Sequence, residues 1–185
     1  MRKSAFIGAL IVISAAIASA QVPTSGNVFF GYSYESAGSS ALNLSSGRPN
    51  LQGWEASLEG KVFPALGIVA DFSGHYGSED ATFATPNGVV AANVTGHETE
   101  VLFGPRVSVS VGKFRPFGEV EVGVGHINTN QFGSQTSFAT ALGGGLDYRL
   151  FRPVAWRFQG DYVSTRFFNT TQNDLRLSTG IVIRF

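Results

Sequence analysis

Charged side chains are the residues of this sequence with the clearest capacity for chemistry, and they recur at alternate positions of apolar segments. If they share a narrow interior, arginines and carboxylates will pair there, because buried charges persist only when they are paired and hydrogen-bonded. An ion-conducting path along the same charges is the alternative. Glu119 and Glu121 also resemble a carboxylate pair for acid–base catalysis, but two such positions on one strand are ordinary interior lining. The expected network comprises Glu55, Glu59, Arg106, Glu119, Glu121, Asp147, Arg149, Arg157, Asp161, Arg176 and Arg184.

The three histidines, His75, His97 and His126, fall near the ends of predicted strands. Three imidazoles could hold a metal ion, but nothing in their spacing brings these three together, so we expect polar rim residues and no metal site. The run Gly143–Gly145 is followed by further strand residues rather than by a helix, which argues against a phosphate-binding loop. The sequence therefore predicts no cofactor.

The composition limits the kind of protein that this chain can be. It has 185 residues, of which 43% are hydrophobic and only 14% charged, with 23 glycines, 16 phenylalanines and no cysteine. Soluble domains carry about 25% charged residues, so this surface is either oily or uncharged. Thirteen basic residues balance thirteen acidic ones, which argues against a nucleic-acid partner. The lack of cysteine excludes a disulfide scaffold, a thiol nucleophile and a cysteine-ligated metal.

The first twenty residues have the pattern of a secretory signal peptide. The basic pair Arg2-Lys3 precedes an apolar run from Ala5 to Ile17, and Ala18-Ser19-Ala20 supplies the small residues before a cleavage site. The run is shorter than the about 20 apolar residues that a membrane-spanning helix needs. We therefore expect residues 1–20 to be a cleaved signal peptide and residues 21–185 to form one exported domain.

The remainder of the chain is predicted to form β-strands. Apolar and polar residues alternate in segments separated by Gly, Pro, Asn and Ser, and no stretch shows a sustained helical period. Three connections are short, whereas Ser36–Leu51, Gly77–Thr95, Ile127–Thr136 and Arg166–Asn173 are long, so the two kinds must lie at opposite ends of one sheet. The eight predicted strands are Asn27–Glu35, Gln52–Lys61, Gly67–Tyr76, Gly96–Val111, Pro116–His126, Ser137–Arg149, Ala155–Thr165 and Asp174–Phe185.

Predicted strands that contain charged residues have one charged face and one apolar face. In Gly96–Val111, for example, Glu98, Glu100 and Arg106 share one face and Phe103 lies on the other. The apolar faces carry too many rings for the interior of an eight-stranded barrel, which is just wide enough for side chains or one small ligand. The rings must then face lipid, and the sheet must close, because an open edge in hydrocarbon leaves backbone groups unpaired. The predicted fold is all-β, a closed eight-stranded antiparallel up-and-down transmembrane β-barrel.

The last predicted strand carries a resemblance to a known family. Thr179, Ile181, Ile183 and the final Phe185 occupy alternate positions, which resembles the C-terminal assembly signal of bacterial outer-membrane proteins. Together with the signal peptide and the alternating connections, the chain resembles the small eight-stranded outer-membrane barrels: the OmpA transmembrane domain, OmpX and the opacity proteins. The sequence ends with the barrel, so we expect no periplasmic domain of the OmpA kind.

The resemblance implies a location in the cell outer membrane. It also implies contact with outer-membrane lipid and lipopolysaccharide, and with the barrel-assembly machinery during biogenesis. Eight strands return the chain to the side on which it started, which we expect to be the periplasm. The four long connections would then be extracellular.

Three functions fit these features. The first is a non-enzymatic envelope barrel that presents Ser36–Leu51 and Gly77–Thr95 to outside partners, for adhesion or another surface interaction, because both loops are long and of flexible composition. The second is a narrow passive pore. The third is a lipid-modifying hydrolase, since Gly125-His126-Ile127-Asn128 resembles the His-x-Ser-Asn neighbourhood of outer-membrane lipid A deacylases. Asn128 stands where that pattern has its serine, so no catalytic residue is predicted, and any extracellular ligand is unidentified.

Overall fold

A computed structural model describes residues 25–36, 50–85, 88–130, 133–167 and 170–185 of the chain. The predicted signal peptide, residues 1–20, lies outside these ranges. The described backbone forms eight strands, and it contains no helix long and apolar enough to cross a membrane. The strands are β1 (Gly26–Ser36), β2 (Asn50–Lys61), β3 (Leu66–Thr85), β4 (Gly88–Ser108), β5 (Phe114–Thr129), β6 (Gly133–Phe151), β7 (Val154–Phe167) and β8 (Thr170–Arg184).

The eight strands form one closed barrel. Each strand pairs antiparallel with the next in the chain, and β1 pairs with β8 to complete the ring. The seam ends in two reciprocal backbone bonds: the Gly26 amide donates to the Phe185 carbonyl at 2.9 Å, and the Phe185 amide donates to the Gly26 carbonyl at 3.1 Å. The predicted fold class is therefore confirmed.

Short turns join the strands at one end of the barrel, here called the turn end. They consist of residues 62–65, 109–113 and 152–153, and the paired Gly26 and Phe185 lie at the same end. The opposite end is called the loop end. Long and short connections therefore occupy opposite ends, as the sequence predicts.

The turn between β4 and β5 differs from the sequence prediction. The amide of Val111 donates to the Phe114 carbonyl at 2.8 Å and the amide of Phe114 donates to the Val111 carbonyl at 3.0 Å, which closes a tight turn. Gly112 adopts a φ of 62° within it, a left-handed conformation that glycine takes without a steric penalty. The approximate strand end at Val111 and start at Pro116 shift by three and two residues, because this turn draws two residues into β5 and removes three from β4.

The longest predicted loop that the structure describes is a hairpin. The Ser-, Thr- and Asn-rich composition of Gly77–Thr95 predicts a loop, whereas β3 and β4 continue to pair from Gly77↔Gly96 to Thr85↔Gly88. The two strands reach 20 and 21 residues, about twice the 9–11 that a membrane-spanning strand needs. The loop prediction is wrong because each segment supplies the other with backbone partners, and antiparallel pairing tolerates polar side chains.

The other three long connections are shorter than predicted or are not described. Ile127–Thr136 and Arg166–Asn173 shrink to a few residues each, because β5, β6, β7 and β8 extend past their predicted ends. Ser36–Leu51 lies almost entirely outside the described residues, and only its two ends belong to β1 and β2. In its described part, the loop end therefore contains more strand and less loop than the sequence indicates.

Side chains alternate between the outer surface and the interior along the strands. Outward positions carry most aromatic rings, and Phe30, for example, is 64% exposed. Inward positions carry the charged residues, of which Glu59 and Arg157 are fully buried. Among the phenylalanines whose side chains the structure describes, two break this rule, because Phe29 and Phe117 are buried.

A lysine in the middle of the outer apolar belt should destabilise the barrel. Leu142, on the outer face of β6, is 62% exposed, and Leu142→Lys should lower the free energy of unfolding by about 2–4 kcal/mol, the cost of a cation near the bilayer centre. Ser134 lies on the same face near the loop end, so Ser134→Lys should cost at most about 1 kcal/mol. Urea unfolding in lipid vesicles, followed by the fluorescence of Trp54 and Trp156, compares the two. Equal losses would contradict a lipid-facing belt.

Candidate functional site

The inward-facing side chains fill the barrel interior, here called the lumen, with an excess of acidic groups. Among the described residues, eleven buried carboxylates share this space with four buried guanidinium groups. Lys61 and Arg184 add two partly exposed cations. The carboxylates are Glu35, Glu55, Glu59, Asp71, Glu98, Glu100, Glu119, Glu121, Asp147, Asp161 and Asp174, and the guanidinium groups belong to Arg106, Arg115, Arg157 and Arg176.

Glu59 on β2 organises the part of the lumen nearest the turn end. Its Oε2 accepts a hydrogen bond from Asn27 Nδ2 at 2.7 Å. Its Oε1 lies 2.8 Å from Lys61 Nζ and accepts a hydrogen bond from Arg115 Nη2 at 3.0 Å. Lys61 and Arg115 both donate to Ser108 Oγ as well. One carboxylate therefore joins β1, β2 and β5, and the shared hydroxyl adds β4.

Two arginines enclose a phenylalanine ring in the same half of the lumen. Arg106 Nε donates to Glu119 Oε2 at 2.5 Å, and Arg157 Nε donates to Asp147 Oδ1 at 2.7 Å. Both guanidinium carbons lie 4.6 Å from the centroid of the Phe117 ring, within the range of a cation–π interaction. Each cation thus has a carboxylate partner and a ring face, and the ring separates two like charges.

Sequence reasoning missed the two lumen rings, although the alternation of faces could have found them. Phe117 precedes Glu119 by two positions, and Phe29 precedes Gly31 by two, so each shares the inward face. Glycines make room for both rings: a Cβ on Gly145 would lie 2.7 Å from Phe117 Cζ, and one on Gly31 would lie 2.7 Å from Phe29 Cζ. Phe29 and Phe117 are not among the rings that the sequence predicts to face lipid, and inside the barrel arginine side chains offer both of them a partner.

Arg176 on β8 is the hub of the half of the lumen nearest the loop end. Its Nη1 lies 3.2 Å from Asp71 and 3.2 Å from Glu100, its Nη2 lies 3.2 Å from Asp161, and its Nε lies 3.6 Å from Glu55. These four carboxylates belong to β3, β4, β7 and β2. A single fully buried side chain therefore connects five of the eight strands.

The residues of the predicted network divide between these two regions. Arg149 lies at the rim, where its Nη2 donates to the Gly112 carbonyl at 3.0 Å. Glu121 is buried, and its Oε1 has no hydrogen-bond partner among the described residues. The structure brings Glu55, Asp161 and Arg176 together near the loop end, and Glu59, Arg106, Glu119, Asp147, Arg157 and Arg184 near the turn end.

A third group of lumen residues, outside the predicted network, lies near the loop end. Glu35, His75 and Glu100, from β1, β3 and β4, are all buried, and one ligand atom of each lies within 4.8 Å of the others. His75 Nδ1 is 3.1 Å from Glu35 Oε2, and His75 Nε2 is 2.9 Å from Ser33 Oγ. The alternation of faces carries the signal for this group, but only the structure shows that three separate strands bring it to one place.

The other two histidines lie on the outer surface and do not join His75. His126 is exposed, with its Nδ1 2.8 Å from Thr136 Oγ1. His97 is exposed too, and its ring centroid lies 6.2 Å from that of Tyr76. The three histidines therefore do not form a common site.

One group of lumen residues has the residue types of a serine-hydrolase triad: Ser33, His75 and Glu35. It lacks the geometry that such a triad needs for catalysis. A triad needs a hydrogen bond between the acid and the imidazole, and a serine that a substrate can reach. Glu35 Oε2 and His75 Nδ1 lack hydrogen-bond partners among the described residues despite their proximity. Ser33 and His75 are 0% exposed. The group is better suited to holding an ion than to attacking an ester.

The residues of the predicted assembly signal lie along the outer face of β8, next to the seam. Ile181, Ile183 and Phe185 are exposed. Thr179 Oγ1 accepts a hydrogen bond from Trp156 Nε1 at 2.8 Å. The four residues thus present one continuous side of the terminal strand to the membrane side of the barrel.

Removal of the hub cation should be far more costly than removal of a rim cation. Arg176→Leu leaves four buried carboxylates without their guanidinium, and breaking a buried ion pair costs about 3–5 kcal/mol. Arg184→Leu removes one 3.2 Å contact to Asp147 from a side chain that is 24% exposed, so its cost should be about 1 kcal/mol or less. Urea unfolding in vesicles, with heat-modifiable gel mobility as the test of folding, separates the two variants. Equal stability would contradict the hub role.

Comparison with known proteins supports the fold and nothing finer. No protein-family model matches the sequence, and no curated protein is similar to it. The crystal structure of Neisserial surface protein A matches with a TM-score of 0.65 at 14% identity, over 86% of this chain and 97% of that one. Ail, the attachment invasion locus protein of Yersinia pestis, crystallised with the heparin analogue sucrose octasulfate, matches with a TM-score of 0.56 at 15% identity, over 87% of this chain and 98% of that one. The chain has the fold of the small eight-stranded outer-membrane β-barrels.

Proposed function

We propose that the protein is a non-conducting, non-enzymatic barrel of the bacterial outer membrane that contributes to envelope structure and contacts partners at the cell surface. The observation that carries this proposal is the filled lumen. The Arg176 hub and the Phe117 stack occupy it at two successive levels. Because an eight-stranded interior is just wide enough for side chains to fill, these two levels oppose a continuous water path.

The fold and the sequence together support a proposed location and orientation. An outer surface of exposed apolar side chains needs lipid around it. The signal peptide of residues 1–20 would deliver the chain to the periplasm, where we place the turn end of the barrel together with both ends of the mature chain. The belt would contact outer-membrane lipid and lipopolysaccharide, and the face formed by Thr179, Ile181, Ile183 and Phe185 would be recognised by the barrel-assembly machinery.

A lipid-modifying activity has weaker support. The imidazole of His126 is engaged by Thr136 on the outer surface. Two residues further along, Asn128 stands where a lipid A deacylase pattern would place its serine. The segment therefore lacks the nucleophile of that pattern, and we assign it no catalytic role.

Planar-bilayer recording tests whether the lumen conducts. The purified protein should show no reproducible unitary current, because the charges that would line a path are bound to one another. A known porin reconstituted in the same bilayers serves as the positive control for insertion and detection.

Arg157→Gln and Glu119→Gln provide the decisive comparison in that experiment. Unitary currents from the unaltered protein that either substitution changed would overturn the structural role, since a contaminating channel would not respond to these residues. The absence of unitary currents from the unaltered protein, in bilayers where the porin conducts, would support the structural role.

A surface role is favoured by the long β3–β4 hairpin. Beyond Tyr76 and Gly96, β3 and β4 pair only with each other among the described strands. The nine residues Gly77–Thr85 extend this two-stranded ribbon by about 30 Å, at roughly 3.3 Å per residue. An isolated ribbon is marginally stable in water and has two open edges, both of which a partner strand can satisfy. We therefore propose the hairpin as the contact element for outside partners.

Shortening the hairpin should remove surface binding without unfolding the barrel. Ser78 and Thr95 are paired, so replacing residues 79–94 by Asn-Gly should close the hairpin with a two-residue turn. The variant should keep its heat-modifiable mobility and its urea midpoint, whereas bacteria that produce it should lose adherence to epithelial cells. Bacteria producing equal amounts of the unaltered chain are the matched control. Undiminished adherence of the shortened variant would contradict this role.

A further inference from the structure

Buried negative charge is concentrated near the loop end of the lumen. Arg176 contacts four carboxylates there, and Glu35, Glu98 and Asp174 lie nearer still to the loop ends of β1, β4 and β8. Seven carboxylates thus share this region with one guanidinium. Near the turn end the balance is reversed, with Glu59, Glu119 and Asp147 among Lys61, Arg106, Arg115, Arg157 and Arg184. Since buried charges are normally paired or coordinate a metal, the region near the loop end calls for a further positive charge.

Two unpartnered atoms mark where that charge would lie. Glu35 Oε2 and His75 Nδ1 are 3.1 Å apart, yet neither has a hydrogen-bond partner among the described residues. Glu35 is 1% exposed and His75 is 0% exposed, so neither group is open to bulk water. When Nδ1 carries no proton, the lone pairs of the two atoms repel each other unless a cation lies between them. Glu100 brings a third ligand atom within 4.8 Å of both.

A chain of hydroxyl groups favours the histidine tautomer that binds metals. Ser178 Oγ donates to Glu55 Oε2 and lies 2.9 Å from Ser33 Oγ, which lies 2.9 Å from His75 Nε2. A hydroxyl has one proton, so once Ser178 donates to Glu55, Ser33 donates to Ser178 and His75 donates its Nε2 proton to Ser33. Nδ1 then carries a lone pair, 3.1 Å from Glu35 Oε2. Such an outer hydrogen bond on the second ring nitrogen is the usual support of a metal-bound histidine.

We propose that Glu35, His75 and Glu100 form a binding site for a divalent transition-metal ion, with Zn²⁺ as the best-suited ion. Zinc takes nitrogen and carboxylate ligands about 2.0–2.2 Å away, which places adjacent ligand atoms roughly 3.0–3.5 Å apart and matches the separation of Glu35 Oε2 and His75 Nδ1. An imidazole ligand favours such ions over Mg²⁺ or Ca²⁺.

The fold builds this site from strands that are not all neighbours. Glu35 is on β1 and His75 on β3, with β2 between them. At this level β2 carries Gly53, which pairs with Ser33 on one side and with His75 on the other. Glycine places no side chain between β1 and β3, and a Cβ at this position would lie 2.9 Å from His75 Cα. The gap lets the carboxylate and the imidazole approach across one strand.

Metal analysis of the detergent-purified protein tests the site. The full chain is unfolded in urea with a chelator, refolded with Zn²⁺ or Mg²⁺, passed over chelating resin and analysed for metal, while heat-modifiable mobility confirms folding. We expect about one zinc per chain and no retained magnesium. Refolding with Co²⁺ should give visible absorption bands that report nitrogen and oxygen ligands.

Substitutions separate a built site from incidental binding. His75→Asn and Glu35→Gln should lose the zinc and the cobalt bands, and Ser33→Ala should weaken zinc binding about 10–100-fold by releasing the tautomer. His97→Asn removes an outward-facing histidine, so this variant should retain the zinc and the cobalt bands, and it serves as the matched control. Should His75→Asn fail to fold, Glu35→Gln and Ser33→Ala decide the question.

Three results would overturn the metal site. The first is the absence of stoichiometric zinc from the folded unaltered protein, since protons would then supply the missing positive charge. The second is equal zinc in the unaltered and Glu35→Gln proteins. The third is covalent labelling of Ser33 by a fluorophosphonate, which would make His75 a catalytic base instead. None of these results bears on whether the lumen conducts, so this site can fail while the proposed function stands.

Discussion

The narrow, closed interior of an eight-stranded barrel is the constraint on which the rest of this structure depends. The apolar face of each strand contacts lipid, so the polar side chains point inward. Because the barrel is narrow, these side chains contact residues from distant parts of the chain. Arg157 Nη2 donates to Asn27 Oδ1 across 130 positions of sequence, and Ser178 reaches Glu55 across 123. Side-chain contacts across the lumen therefore add a second set of connections to the backbone ladders of the wall.

The two ends of the lumen meet this constraint differently. Near the turn end, cations outnumber carboxylates, and Phe117 lies between Arg106 and Arg157 so that both gain a ring face while their charges stay apart. Near the loop end, carboxylates are in excess and converge on Arg176. Stacking on a ring can ease an excess of guanidinium groups, whereas the neutral donors near these carboxylates, such as Ser178, supply hydrogen bonds but no positive charge. A buried excess of carboxylates needs protons or a metal ion, and the proposed metal site lies at that end.

Sequence alone predicts most of the fold, because strand alternation and the demand for a closed edge leave few architectures open. It also places most of the charged residues on the correct face. It fails where tertiary pairing decides the outcome: the segment Gly77–Thr95 has a loop-like composition and becomes strand because its two halves pair with each other. It fails again inside the lumen, since alternation assigns Phe117, Glu35 and His75 to the inward face but cannot show which residues meet there. Those contacts depend on register and on gaps such as Gly53.

Acidic and basic groups are separated along the barrel axis, and this separation affects the passage of ions through the lumen. A cation entering from the loop end would meet carboxylates first and then the arginines around Phe117, whereas an anion entering from the same side would meet the repulsive group first. In a medium of low polarity, the energy barrier to the cation at the arginines and the barrier to the anion at the carboxylates are both large. Like charges a few ångströms apart repel there by several kcal/mol. Each kind of ion thus has one attractive half and one repulsive half. This arrangement opposes conduction of either sign even if thermal motion loosened one level of the lumen, and it favours a cation in the acidic half, where we propose the metal site.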